Sequence, residues 1–184
     1  MRDDQRTLEE LPVAGASVKP ILILGLGNPL RGDDGVGCRV VEALSLEALP
    51  PQVEAMDGGT PGIGLFHLIE GRRRVILVDA AEMGRPPGSV ARFLPGDVRL
   101  AVSAEGVSLH HSGVAETLAL ARALNLALPD LVVFGVQPTR VNWDPDLSPE
   151  VRAAVAQVVQ AVLQEAGREP FTGADHGQRE DPDH

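Results

Sequence analysis

The stretch ILILGLGNPLRGDDGVGCRVVEAL, residues 21–44, decides the fold. Its first seven residues (21–27) are a short aliphatic run that ends in glycines, which predicts a buried strand. A polar loop follows, and then apolar residues recur at helical spacing: Val36, Val40, Val41 and Leu44. This spacing predicts a helix that runs to about Leu49 and is stopped by Pro50 and Pro51. A buried strand, a short loop and an amphipathic helix are typical of a parallel sheet covered by helices.

The rest of the chain alternates between strand and helix patterns. Further strands are predicted over residues 53–56, 74–81, 89–94 and 130–138, the third of these at a sheet edge. Further helices are predicted over residues 63–70, 114–124 and 149–166, the last with Ser148 as its N-cap. The alternation predicts a three-layer α/β/α domain, with a mostly parallel twisted sheet of about five strands flanked by helices.

Composition narrows the function classes. The formal net charge is −10, from 16 basic and 26 acidic residues, so the chain lacks the basic surface of a nucleic-acid-binding protein. No apolar run approaches the roughly 20 residues that span a bilayer, and the opening MRDDQRTLEE is too polar for a signal peptide. The single cysteine, Cys38, excludes an internal disulfide. We expect a cytoplasmic monomer that binds neither nucleic acid nor membranes.

Domain boundaries follow from the same patterns. Residues 1–19 are polar and show no sustained period, and residues 167–184 are rich in glycine, proline and charge. Both segments bury too little apolar surface to offset the entropy of ordering, so we expect mobile extensions. Residues 20–166 then form a single catalytic α/β domain.

Polar residues follow the predicted strands. In open α/β sheets, ligands bind beyond the carboxyl ends of the strands, so these residues are expected to converge. The candidates are Asp33 and Asp34 after the first strand, Asp57, Gly58, Gly59 and Thr60 after the second, Asp79 at the end of the third, and His110 and His111 before the helix over 114–124.

The chemistry of this set has two interpretations. Two carboxylates and one imidazole suit a divalent ion such as nickel, zinc, manganese or iron. The same groups suit general acid–base catalysis. Asp33 or Asp34 has a structural alternative as the cap of the first helix, where a carboxylate satisfies free N–H groups. Asp79 at a strand end has to be solvated or paired.

Other catalytic motifs do not occur in the sequence. The third glycine of GLGNPLRG comes too late for the dinucleotide pattern G-x-G-x-x-G, and there is no P-loop, G-x-S-x-G or H-E-x-x-H. Cys38 falls inside the first predicted helix and is interpreted as a small packing residue rather than a nucleophile.

Several separated motifs occur in one order: GLGNPLRGDDGVGCRVVEAL, DGGTPG, VILVDAAEMGRPPGSV, SLHHSGVAETLALA and VFGVQP followed by LSPEV. In this order the chain resembles the hydrogenase maturation endopeptidases, over about residues 21–166. The resemblance implies a phosphorylase/hydrolase-like fold. It also implies an enzyme that removes the C-terminal extension of the large-subunit precursor of a nickel–iron hydrogenase.

The resemblance also implies roles for the candidate residues. The metal-interacting residues of the family map onto Asp34, Asp79 and His110, with Asp34 and Asp79 as the catalytic carboxylates. Asp33, His111 and the segment Asp57, Gly58, Gly59 and Thr60 are then expected to bind substrate. The resemblance further implies that the metal is nickel already inserted in the precursor rather than a permanent ion. Many members have glutamate where this chain has Asp34, so Asp33 is an alternative there, as His111 is for His110.

Three other functions stay open at this level. GLGNP also opens the peptidyl-tRNA hydrolases, although their substrate calls for a basic groove. A metallopeptidase with its own bound zinc or other ion would use the same ligands. A non-catalytic metal-checking protein would bind the loaded precursor and leave its length unchanged.

Overall fold

A computed structural model describes residues 18–95, 97 and 113–168. The predicted mobile extensions, 1–19 and 167–184, lie almost entirely outside the described residues, as do His110 and His111.

Five strands form one sheet, as predicted. They are β1 (Ile21–Leu26), β2 (Val53–Gly59), β3 (Arg74–Ala80), β4 (Val90–Phe93) and β5 (Asp130–Val136). Their order is β2-β1-β3-β5-β4, and every neighbouring pair is parallel except β4 and β5. The edge position predicted for residues 89–94 is confirmed by β4.

Helices cover both faces of the sheet, which confirms the three-layer α/β/α prediction. They are α1 (Val36–Leu44), α2 (Leu65–Ile69), α3 (Val114–Ala123) and α4 (Pro149–Ala166). In β1, Ile21 and Ile23 pack into the core under α1 and α4, whereas Leu22 and Leu24 pack into the core under α2 and α3. This alternation follows from the two-residue period of a strand. Over residues 18–95, 97 and 113–168, no helix is long and apolar enough to cross a membrane.

Two element bounds differ from the sequence prediction. Helix α1 ends at Leu44 rather than near Leu49, because Leu44 is the last fully buried residue of this stretch and the four residues after it are exposed, Leu46 at 88%. Strand β2 continues through Gly59, where the sequence predicted a loop from Asp57 onward. Strand β1 supplies the hydrogen-bond partner at the end of this strand, where Gly27 N donates to Gly59 O at 2.8 Å and Gly59 has a left-handed φ of +57°.

The strand order locates the expected ligand edge by a general rule. The chain goes from β1 outward to β2 and returns to β3 on the other side of β1, so the direction of winding reverses between β1 and β3. Ligands of open α/β sheets bind at the carboxyl ends of the strands beside such a switch point. Asp34 follows β1 and Asp79 lies near the end of β3, so both acids belong to this position.

Candidate active site

Asp34 lies in a 3-10 turn (Gly32–Gly35) between β1 and α1. Its side chain is buried, at 3% exposure, and its Oδ2 accepts a hydrogen bond from Asn28 N at 2.9 Å. No described residue donates a side-chain or backbone hydrogen bond to Oδ1. Neither Asp33 nor Asp34 caps the turn or α1, so the capping alternative is wrong.

Gly27 permits the loop to return over the end of β1. Its φ is +113°, and a Cβ built on it would lie 1.7 Å from the carbonyl oxygen of Asp34. Any side chain would therefore push the acidic turn away from the strand end. Glycine is needed here for close approach of the two backbone segments as well as for its backbone angle.

Asp79 is the second buried carboxylate at this edge, at 2% exposure. It is paired in register with Gly135 of β5, and the preceding Val78 is paired with Gly25 of β1. The N-terminal part of α1 packs against this point, since a Cβ on Gly37 would lie 2.5 Å from Val78 O. The acidic turn itself contacts β3. Asp34 and Asp79 therefore come from two adjacent elements at the switch point.

Asp33 has a different environment from Asp34. It is fully buried, and its carboxylate accepts four hydrogen bonds, from the backbone N–H groups of Thr139, Arg140 and Ser148 and from Ser148 Oγ. These donors belong to the loop between β5 and α4. Because the carboxylate of Asp33 has no exposed surface, a substrate cannot contact it. The geometry therefore favours a role for Asp33 in positioning the β5–α4 loop over the predicted direct contact with substrate.

The predicted substrate loop lies at the outer side of this edge. Asp57 is exposed, and its Oδ1 accepts hydrogen bonds from Gly59 N at 2.9 Å and from Cys38 Sγ at 3.3 Å. Thr60 is also exposed. Gly58 packs on Leu24 and Leu26 of β1, where a Cβ would lie 2.9 Å from Leu24 Cδ1.

Cys38 is a buried hydrogen-bond donor rather than an exposed thiol. Its Sγ also donates to Gly27 O at 3.5 Å, so it links α1 to the ends of both β1 and β2. Burial raises the pKa of the Cys38 thiol to about 12, with the hydrogen bond to Asp57 and the charge of that carboxylate acting in the same direction. The thiol is therefore protonated at neutral pH, which agrees with the prediction that it is not a nucleophile.

The predicted histidines lie outside the described residues. Helix α3 starts just after them, and its N-cap Gly113 lies against Gly62, since a Cβ on Gly113 would be 2.5 Å from Gly62 Cα. Thr117 Oγ1 also donates to Gly62 O at 3.2 Å. The described end of this segment thus reaches the carboxyl edge close to the Asp57–Thr60 loop.

The described residues supply carboxylates at this edge but no complete ligand set for a metal ion. Among the residues described, no group of three or more His, Cys, Asp or Glu side chains lies close enough to hold an ion. The two buried carboxylates, Asp34 and Asp79, supply oxygen donors of the kind that divalent ions accept. The imidazole expected to complete the set, from His110, is outside the described part.

Two side chains of the site make contacts that were not anticipated from the sequence. The spacing at Ser148 predicts a helix cap, but gives no sign that the same side chain binds Asp33. Gln137 Oε1 accepts from Met83 N at 2.7 Å, and Gln137 Nε2 donates to Glu82 Oε2 at 2.8 Å. Gln137, which follows β5, therefore stabilises the loop that follows β3. This contact depends on the pairing of β3 with β5, which the sequence alone does not show.

Comparisons with known proteins agree with this architecture. A family model described as hydrogenase maturation protease matches residues 38–165. The chain belongs to this family. It is 34% identical over 146 residues to the hydrogenase expression/formation protein HupD of Thiocapsa roseopersicina, with 78% of this chain and 66% of that protein covered. HupD of Bradyrhizobium diazoefficiens is 35% identical over 146 residues, with 78% and 76% covered.

Solved structures give the same assignment. The hydrogenase maturating endopeptidase HybD from Escherichia coli superposes with a TM-score of 0.66 and 32% identity, covering 80% of this chain and 93% of that one. As a member of the hydrogenase maturation proteases, the protein is a peptide-bond hydrolase. The family assignment therefore decides between proteolysis and the peptidyl-tRNA hydrolase alternative.

Proposed function

We propose that this protease removes the C-terminal extension of a nickel-loaded hydrogenase large-subunit precursor, acting as a monomer. In this proposal Asp34, Asp79 and His110 recognise the nickel that the precursor carries. The ion belongs to the substrate, so cleavage is restricted to precursors that have been loaded.

One observation carries the proposal. Two carboxylates, each at most 3% exposed, are held at the carboxyl ends of β1 and β3, on either side of the switch point. Burying acidic groups costs free energy unless they are paired, hydrogen-bonded or bound to a cation. Asn28 N occupies one oxygen of Asp34 and orients its carboxylate, while Oδ1 is left for a ligand.

Cleavage of the peptide bond then needs a base for the attacking water. Asp34 or Asp79 accepts that proton, which is the role a carboxylate fills in general base catalysis. The loop Asp57–Thr60 binds the polypeptide next to the scissile bond, and His111 adds a further contact. Asp33 holds the β5–α4 loop in place.

The test is the intact mass of the large-subunit precursor after incubation with the purified protein. We expect the mass of the extension to be lost from nickel-loaded precursor and retained by nickel-free precursor. Asp79→Asn and Asp34→Asn should slow processing by about 100-fold or more, the range typical for loss of a general base. Asp146→Asn removes an exposed carboxylate, 75% accessible, and should process normally.

Each alternative gives a different result. Binding of loaded precursor with no change in its mass would show a non-catalytic checking protein. A stoichiometric ion retained by the purified protein after dialysis would show a resident-metal peptidase. Equal cleavage of nickel-free precursor would refute metal recognition by this site. His110→Ala and His111→Ala, compared side by side, identify which histidine acts with the two carboxylates.

A further inference from the structure

Two large apolar side chains stand exposed beside the candidate site. Leu30, in the loop after β1, is 58% exposed, and Trp143, in the loop after β5, is 79% exposed. Both loops leave the carboxyl ends of their strands, the same edge that holds Asp34 and Asp79. Exposed apolar groups that are grouped at one place typically mark interaction surfaces.

The backbone beneath these side chains is firmly held. Asp144 N donates to Leu30 O at 3.1 Å, and Gly32 N donates to Asp144 O at 2.5 Å. The Asp33 carboxylate stabilises both ends of the β5–α4 loop by accepting hydrogen bonds from Arg140 N and Ser148 N. The exposed side chains therefore stand on an ordered base, so binding a partner costs little backbone entropy.

The charge at this place differs from that of the whole chain. The protein carries a net charge of −10, but the half-buried Arg31 follows Leu30 directly, and its guanidinium forms no ion pair with any residue the structure describes. The acid beside Trp143, Asp144, is neutralised by Arg140 at 2.7 Å. Tryptophan and arginine are the residue types most enriched among the dominant contacts of protein interfaces. The complementary partner has an apolar side chain next to a carboxylate.

We propose that Leu30, Arg31 and Trp143 form a docking surface for the precursor polypeptide, separate from the scissile bond. The segment bound there carries a large apolar side chain beside an acidic one. This inference rests on the proposed function, because the active edge and the docking surface then engage one polypeptide.

Steady-state cleavage of nickel-loaded precursor tests the proposal. Trp143→Ala should raise KM about tenfold, the effect of truncating a central aromatic contact, and leave kcat within about twofold. Leu30→Ala and Arg31→Gln should raise KM about threefold each. The matched control is Leu46→Ala, which removes an exposed leucine, 88% accessible, at the end of α1. Its KM should equal that of the wild-type protein.

A direct binding measurement is available because Trp143 is the single tryptophan of the chain. Protein labelled with 5-fluorotryptophan gives one fluorine resonance, which should shift on addition of nickel-loaded precursor and shift less in Arg31→Gln. An unshifted resonance, or the same KM for Trp143→Ala and Leu46→Ala, overturns the docking surface while leaving the proposed function intact. If the wild-type protein fails to cleave the precursor, the proposed function fails, and the fluorine resonance still decides whether the surface binds it.

Discussion

Asp33 and Ser148 are joined by two hydrogen bonds although 115 residues separate them in the chain. Ser148 N donates to Asp33 Oδ1 at 2.6 Å, and Ser148 Oγ donates to Asp33 Oδ2 at 2.9 Å. Ser148 is also the N-cap of α4, where its Oγ accepts from Val151 N. The pair therefore ties the loop after β1 to the start of the last helix, and it supports both the active edge and the proposed docking surface.

Asp33→Asn should destabilise the protein by about 3 kcal/mol, because an amide turns one acceptor into a donor that faces buried N–H groups. The measurement is the free energy of unfolding in urea. Asp146→Asn, at an exposed carboxylate, should change it by less than about 0.5 kcal/mol. A small loss for Asp33→Asn, equal to that of the control, would show that the four donors find other partners.

Ser148→Ala should cost about 1–2 kcal/mol, since it removes the N-cap of α4 and one donor to Asp33. The double variant Asp33→Asn/Ser148→Ala should lose less stability than the sum of the two single variants, because they share a hydrogen bond. Strict additivity in urea unfolding would mean that the two side chains act independently.

Gly27→Ala should reduce precursor processing by about tenfold or more, because its Cβ would displace the acidic turn that carries Asp34. The rate is measured by intact mass over time. Gly71→Ala is the matched control: its φ is also positive, +71°, but a Cβ there meets nothing within 4 Å. It should cost about 1 kcal/mol of stability and leave the rate unchanged. Equal rates for the two variants would contradict the proposed importance of this close approach.

Cys38 should make the folded protein less stable at alkaline pH. Burial and Asp57 raise the pKa of the thiol from 9.0 to about 12 in the folded state. Above pH 9 the unfolded chain releases a proton that the folded chain keeps, so the free energy of unfolding falls as the pH rises from 9 toward 12.

The slope of stability against pH from 8 to 10.5 measures this effect. Cys38→Ala removes the thiol, so its slope should be less negative than that of the wild-type protein. Native protein at pH 8 should also resist iodoacetamide, whereas urea-unfolded protein should react. Rapid labelling of the native protein would show that the thiol is neither buried nor protonated.

Glu165 should stabilise the fold at neutral pH and lose this effect in acid. Burial by itself raises the pKa of Glu165, but hydrogen bonds from Arg92 and the charges of Arg92, Arg74 and Arg168 outweigh it, so the pKa is lowered below 4.5. The favourable contribution is complete above pH 4.5 and is lost as the pH falls through the lowered value.

Glu165→Gln should therefore cost about 3 kcal/mol at pH 7, because it removes one of the two carboxylates that pair with the buried Arg74 guanidinium. The difference from the wild-type protein should shrink as the pH falls below 4.5. Glu47→Gln, at an exposed glutamate, serves as control and should show no such dependence. A difference that stays constant between pH 3 and 7 would exclude a lowered pKa.

The sequence by itself determined the layers of the fold and the edge that carries the candidate site. Strand and helix periods are local properties, so runs such as residues 21–27 identify buried strands without knowledge of their neighbours. The carboxyl ends of parallel strands meet at one edge, so the positions of Asp34 and Asp79 along the chain are enough to predict that they lie together. The order of motifs supplied the family resemblance.

Only the tertiary structure decided which of Asp33 and Asp34 has its carboxylate fully hydrogen-bonded within the protein. Asp33 and Asp34 are adjacent and chemically identical, so spacing cannot separate them. Donors from residues 139–148, far along the chain, surround the carboxylate of Asp33, while Asp34 keeps an oxygen that no described residue binds. Hydrogen bonds between distant segments depend on how the segments pack, and local sequence patterns carry no record of that packing.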